Sequence, residues 1–281
     1  MRLIFFLLRY CYAAVTCLYV FTIGLLSRRS RNLIFTICGH FGGPFRDMLR
    51  LNLPILPAID LSTIVSFTEP LKILEPDQKD GNVSYLEILT INSIIAFYRP
   101  VKIFEIGTFD GRTTLNMAAN SPADSIVYTL DLPAAEMEST ALPIDSFDRS
   151  YINKEVSGAR IAGQDCAPKI VQLSGDSGAF DFSPYMSKMN FVLIDGAHTF
   201  EYAMNDSKIA RRLLGDNEGI ILWHDYGNCE GVTKALNQLY STSGFWSGIR
   251  WIKGTSLACL VLGKNYNADL EPSPIRGLEL K

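Results

Sequence analysis

Residues 101–113, Val-Lys-Ile-Phe-Glu-Ile-Gly-Thr-Phe-Asp-Gly-Arg-Thr, constrain this chain more than any other stretch. The apolar run from Val101 to Phe104 predicts a short buried strand ending at Glu105. Gly107 and Gly111 predict a tight turn with close backbone approach. A helical stretch begins at Thr113. Strand, glycine turn and helix make the opening unit of an open α/β sheet. The spacing E-x-G-x-x-x-G is not the G-x-G-x-x-G of dinucleotide sites. The helix N-terminus favours negative groups. Glu105, just before the first glycine, repels a pyrophosphate and suits a cationic ligand.

The rest of the chain repeats the pattern. Residues 83–98 read as a helix leading into this unit. Ser125 to Asp131, Lys169 to Leu173, Asn190 to Ile194 and Gly219 to Trp223 read as further apolar strands. Helices are expected over 199–214, with Thr199 as N-cap, and over 230–240. A β-hairpin is expected around Gly254. Strands alternating with helices predict a Rossmann-like, doubly wound α/β fold. Its sheet is expected to be mainly parallel and seven-stranded, preceded by an N-terminal hydrophobic helix. Residues 32–82, broken by glycine and proline, read as an irregular linker or lid, and 83–264 as the main domain. His40 in that linker reads as structural. Residues 265–281 read as a tail.

Each predicted strand ends near an acid: Glu105, Asp131, Asp176, Asp195 and Asp225. In open α/β sheets ligands bind beyond the carboxyl ends of the strands. Asp131 is placed to accept the hydroxyls of a ribose, and Asp176 to reach an adenine amino group. His198 and His224 fall on the same rim. A ligand with an amino group, a carboxylate and a nucleoside fits this rim, which makes S-adenosylmethionine (SAM) the candidate.

Charge and hydropathy divide the chain. Residues 1–31 hold five Arg and no acid, leaving 21 basic against 29 acidic residues in the remainder. No basic patch points to nucleic acid. Residues 3–26 are apolar apart from Arg9, two threonines and a few tyrosines, and Arg28, Arg29 and Arg31 come directly after. A membrane anchor is therefore expected over 1–31, since a spanning helix takes about 20 residues. The basic flank places the C-terminal remainder of the chain in the cytoplasm. A signal peptide, a packed helix and a wholly cytoplasmic protein are the other readings. The six cysteines form no C-x-x-C pair, so they indicate neither a zinc site nor a disulfide framework.

Taken in order, Glu105-Ile-Gly-Thr-Phe-Asp-Gly111, Thr129-Leu-Asp131, Gly175-Asp176-Ser177, Ile194-Asp-Gly-Ala-His198 and Trp223-His-Asp-Tyr226 resemble the class I SAM-dependent methyltransferases. Within these, the likeness is to small-molecule O-methyltransferases of the catechol and macrocin type. The resemblance implies that Glu105, Gly107, Thr108 and Gly111 line the methionine and ribose part of SAM. It implies ribose contacts from Asp131 and an adenine environment from Asp176 and Ser177. It also implies a divalent ion, magnesium or another, held by Asp195 and Asp225. His224 stands where some relatives have a second acid, and an added imidazole suits manganese, iron or zinc as well. Asp195 and His198 are the expected catalytic residues, His198 as base. The expected acceptor is a small molecule or a glycan- or lipid-linked hydroxyl. Two rival readings are a metal-dependent hydroxylase of the cephalosporin hydroxylase type and a SAM-binding protein without catalysis. The sequence identifies neither the acceptor nor the oligomeric state.

Overall fold

The computed structural model describes residues 2–27, 54–66, 69–215, 218–242 and 244–263. The chain divides into two compact units, Met1–Leu53 and Pro54–Lys281. The Arg28, Arg29 and Arg31 cluster, His40 and the tail 265–281 lie outside the described residues.

In the first unit, helix α1 spans Arg2–Val20, and a 3₁₀ turn covers Ile23–Leu26. Among the described residues, no helix is long and apolar enough to cross a membrane. The helix expected over 3–26 ends at Val20. The backbone tightens into the 3₁₀ turn instead of continuing.

The second unit is an α/β sheet. Its strands are β1 (Ala58–Ile59), β2 (Lys102–Ile106), β3 (Ile126–Asp131), β4 (Ile170–Ser174), β5 (Phe191–Ile194), β6 (Gly219–Trp223), β7 (Arg250–Ile252) and β8 (Ala258–Leu262). They pair in the order β1-β7-β8-β6-β5-β2-β3-β4, with only β8 antiparallel to its neighbours. The helices are α2 (Tyr85–Tyr98), α3 (Arg112–Asn120), α4 (Ser146–Ile152), α5 (Phe200–Leu214) and α6 (Glu230–Ser241).

Among the described residues the sheet has eight strands rather than the expected seven. The extra edge strand β1 lies inside the stretch that reads as irregular. Two residues carry too little periodicity to be seen in sequence, and pairing with Trp251 and Ile252 makes them a strand. Tyr226 fixes the approach: its phenol oxygen accepts from the backbone N–H of Ile55 at 2.8 Å and of Leu56 at 2.9 Å.

Period-two alternation divides the core. Phe104 and Ile106 of β2 pack toward α5 and α6, with Ala210, Leu213, Ala235 and Leu236. Ile103 packs on the other face against Ile91, Ile94 and Ile95 of α2 and Met117 of α3. Each such apolar side chain contributes about 1.5–3 kcal/mol when fully buried. Helix α2 is apolar nearly all round, and its start is set by a capping box. Ser84 accepts from the N–H of Glu87, and the Glu87 carboxylate accepts from the N–H of Ser84. Arg99, left-handed at φ 52°, ends it.

Candidate functional site

The strand order reverses between β2 and β5. Gly107 follows β2 there, and Asp195 follows β5. The two turns nearly touch: a Cβ on Gly107 would lie 2.0 Å from the carbonyl oxygen of Asp195, and its φ is +103°. Only glycine fits such a crossing. Above this point opens a cavity of about 340 Å³, within the range of small-molecule sites. Gly107, Asp131, Asp176, Ser177, Asp195, His198, His224 and Asp225 all line it.

Three expected residues do not line it. Glu105 is wholly buried beneath the turn, on the α2–α3 face of the sheet. One of its carboxylate oxygens accepts from Thr114 and, at 2.6 Å, from Thr129. The other is buried without a partner. Burial pushes its pKa up to about 8, against the hydrogen bonds from the two threonines. A neutral carboxyl explains how one oxygen tolerates having no donor. Thr108 bonds Thr129 at 2.6 Å in the same buried chain, and Gly111 caps α3 at φ +85°.

On the nucleoside side, Asp131 is the last residue of β3. Its carboxylate pairs with Lys154 at 2.8 Å and accepts from Ser157. Asp176 accepts from the N–H of Gly178 at 2.7 Å and of Ala141 at 2.6 Å, and from the Tyr202 hydroxyl at 2.7 Å. It ties a loop to α5. Ser177 follows it, and its carbonyl accepts from Asn205 at 3.2 Å.

The other side of the cavity is a chain of carboxylates and imidazoles. Nδ1 of His224 lies 2.9 Å from Asp195 and 3.0 Å from Asp225, and its Nε2 lies 3.3 Å from Glu87. His198 places Nε2 2.9 Å from Asp225 and Nδ1 2.5 Å from Asp148, which also accepts from the His198 backbone N–H. Asp225 sits in the left-handed region at φ 62°, and its Oδ2 faces both rings. Burial by itself would lower both histidines. The flanking acids override it, raising His198 to about 10 and His224 well above its ordinary value. With its pKa raised to about 10, His198 is inclined to carry both ring protons near neutral pH. Burial would raise Glu87 and Asp225, but the histidines hold both carboxylates well below the usual range.

One ligating atom each from Asp195, His224 and Asp225 lie within 4.8 Å of one another. This imidazole and two carboxylates fit a divalent cation. Glu87 on the far ring nitrogen is the outer-shell carboxylate that metal-binding histidines commonly have.

Several residues here were not singled out from the sequence. Ser84 and Glu87 carry a readable capping-box spacing, but nothing in it says that Glu87 reaches His224. Asp148, Phe147 and Tyr151 come from α4 in the loop-rich stretch after β3. Phe147 places its ring 5.6 Å from His198 and 5.0 Å from Tyr151, forming an aromatic wall beside the acids.

Residues 104–226 match the family described as "Methyltransferase domain". No curated protein matches the chain. Among solved structures, the chain is similar to the O-methyltransferase TomG from Streptomyces achromogenes, solved with SAM, at 17% identity. That likeness covers 66% of this chain and 84% of the other, with a TM-score of 0.44. An O-methyltransferase from Bacillus cereus with SAH is 14% identical over 66% of this chain and 84% of its own, with a TM-score of 0.43. A SAH-bound methyltransferase from Podospora anserina is 15% identical over 66% and 81%, with a TM-score of 0.44. By the family match residues 104–226, with the rim acids and glycine turn in the expected order, are similar to a methyltransferase domain.

Proposed function

We propose that the chain transfers the methyl group of SAM to a hydroxyl oxygen of a small molecule, assisted by a divalent cation held by Asp195, His224 and Asp225. The observation that carries this reading is the convergence of those three side chains at the strand ends, with Glu87 behind His224.

Bound SAM supplies an electrophilic methyl carbon on sulfonium. Gly107 lets the backbone approach it closely. Asp131 is the acceptor for the ribose hydroxyls, exchanging its contacts with Lys154 and Ser157. Asp176 and Ser177 shape the adenine side, with Asp176 holding the loop at Ala141 in place. Glu105, Thr108 and Gly111 support the turn from behind.

Methyl transfer is an in-line displacement, so the acceptor oxygen must be oriented and at least partly deprotonated. A bound divalent cation lowers the pKa of an acceptor hydroxyl. His198, held between Asp148 and Asp225, orients Asp225. Phe147 and Tyr151 form the wall on which an apolar part of the acceptor packs.

The test is methyl transfer from labelled SAM across a panel of hydroxyl acceptors, with and without EDTA. Metal-dependent transfer is the expected result. Full activity in excess EDTA removes the cation from the mechanism. Turnover without label transfer would instead favour a hydroxylase, and SAM binding without turnover a binding protein.

A further inference from the structure

We propose that His198, Asp225 and Cys229 form a second cation site, beside Asp195–His224–Asp225 and suited to a thiophilic divalent ion such as zinc. One ligating atom of each of the three lies within 4.8 Å of the others. The inference shares Asp225 with the metal reading above but does not depend on methyl transfer.

The geometry of each ligand is fixed by something other than an ion. Asp148 holds His198 by the backbone N–H at 3.1 Å and by Nδ1 at 2.5 Å, which turns Nε2 toward Asp225. A carboxylate on the far ring nitrogen is what orients metal-binding histidines. Cys229 occupies the N-cap of α6, a position that favours Ser, Thr, Asp or Asn. Its side chain makes no capping hydrogen bond. The first turn of α6 is brought against the His198 backbone by Gly231, where a Cβ would lie 2.3 Å from the His198 carbonyl oxygen.

The cation would take one ligand atom from each of the three side chains. Its binding displaces one proton from Nε2 and one from Sγ, leaving nitrogen, carboxylate and thiolate donors. Thiolate and imidazole select zinc-like ions, whereas magnesium prefers oxygen. The neighbouring trio, with one imidazole and two carboxylates, has no sulfur.

Cobalt(II) added to the reduced full-length protein tests this. Thiolate coordination gives a sulfur-to-cobalt charge-transfer band in the near ultraviolet. The band is expected in the wild type and in Asp195→Asn, and is expected to be lost in Cys229→Ser. Should Cys229→Ser fail to fold by circular dichroism, His198→Gln carries the same arm and loses or shifts the band. Zinc stoichiometry by chelator competition should fall by one ion in the same variants. Absence of the band from the wild type overturns the inference, as does its persistence in Cys229→Ser. Loss of the band in Asp195→Asn also overturns it, because the two trios would then be one site. That last result would leave the Asp195–His224–Asp225 site standing.

Discussion

Glu105 and Asp195 both come at the ends of apolar strands that lie side by side, yet they do opposite things. Glu105 sits within β2, opposite Leu193 of β5, while Asp195 lies one step beyond the last paired positions, Ile106 and Ile194. In register Asp195 stands two positions beyond Glu105, past the ladder, where strand alternation no longer sets its direction. Alternation turns Glu105 under the sheet, where it is dry, paired with threonines and inclined to be neutral. Asp195 clears the strand end and meets His224 in the cavity. An acid near a strand end is therefore two different groups, depending on its distance from the last ladder pair. One supports a turn, and the other faces a ligand.

The sharpest way to break this contrast is Asp225→Asn. It removes the carboxylate shared by both histidines and both donor trios. Methyl transfer should fall by more than about 100-fold, beyond the 10–100-fold typical of outer-shell losses. Steady-state kinetics over a magnesium and manganese series measures it, and near wild-type turnover would remove the rim chain from the chemistry.

Glu87→Gln probes the same chain from outside. Divalent-ion affinity should drop by about 10–100-fold while SAM affinity stays put. Calorimetric titration with the ion separates the two, and an equal loss of both would point to a folding defect in α2.

Asp131→Ala tests the nucleoside side. SAM binding should weaken by about 1–3 kcal/mol, the scale of hydrogen bonds to a charged group. Unchanged affinity in the folded variant would take the ribose away from this strand end.

The smallest effect is expected of Glu105→Gln. SAM affinity should move less than in Asp131→Ala, because Glu105 does not reach the cavity. Its folded pKa of about 8 lies above the ordinary 4.5, so the native protein keeps a proton that the unfolded chain loses. Stability therefore falls as pH rises from about 4.5 to about 8 and levels beyond it. The Gln variant should lose less Tm across that window, which thermal denaturation at several pH values measures. An identical pH dependence in both proteins would mean that Glu105 is ionised throughout.

Much of the fold was legible because it rests on local signals. The strands ending near Glu105, Asp131, Ile194 and Trp223, the Thr199 cap and the turn at Gly254 all follow from apolar runs and their punctuation. So did the meeting of Asp195, His224 and Asp225, since neighbouring parallel strands bring their carboxyl ends together. Three things needed tertiary structure. The face to which Glu105 turns depends on where the ladder stops, which pairing sets. Strand β1 exists only because Trp251 and Ile252 offer an edge and Tyr226 holds Ile55 and Leu56. Asp148 and Glu87 reach the histidines from helices far away in sequence. No periodicity records such contacts, because they are made by packing distinct elements rather than by the order of residues within one.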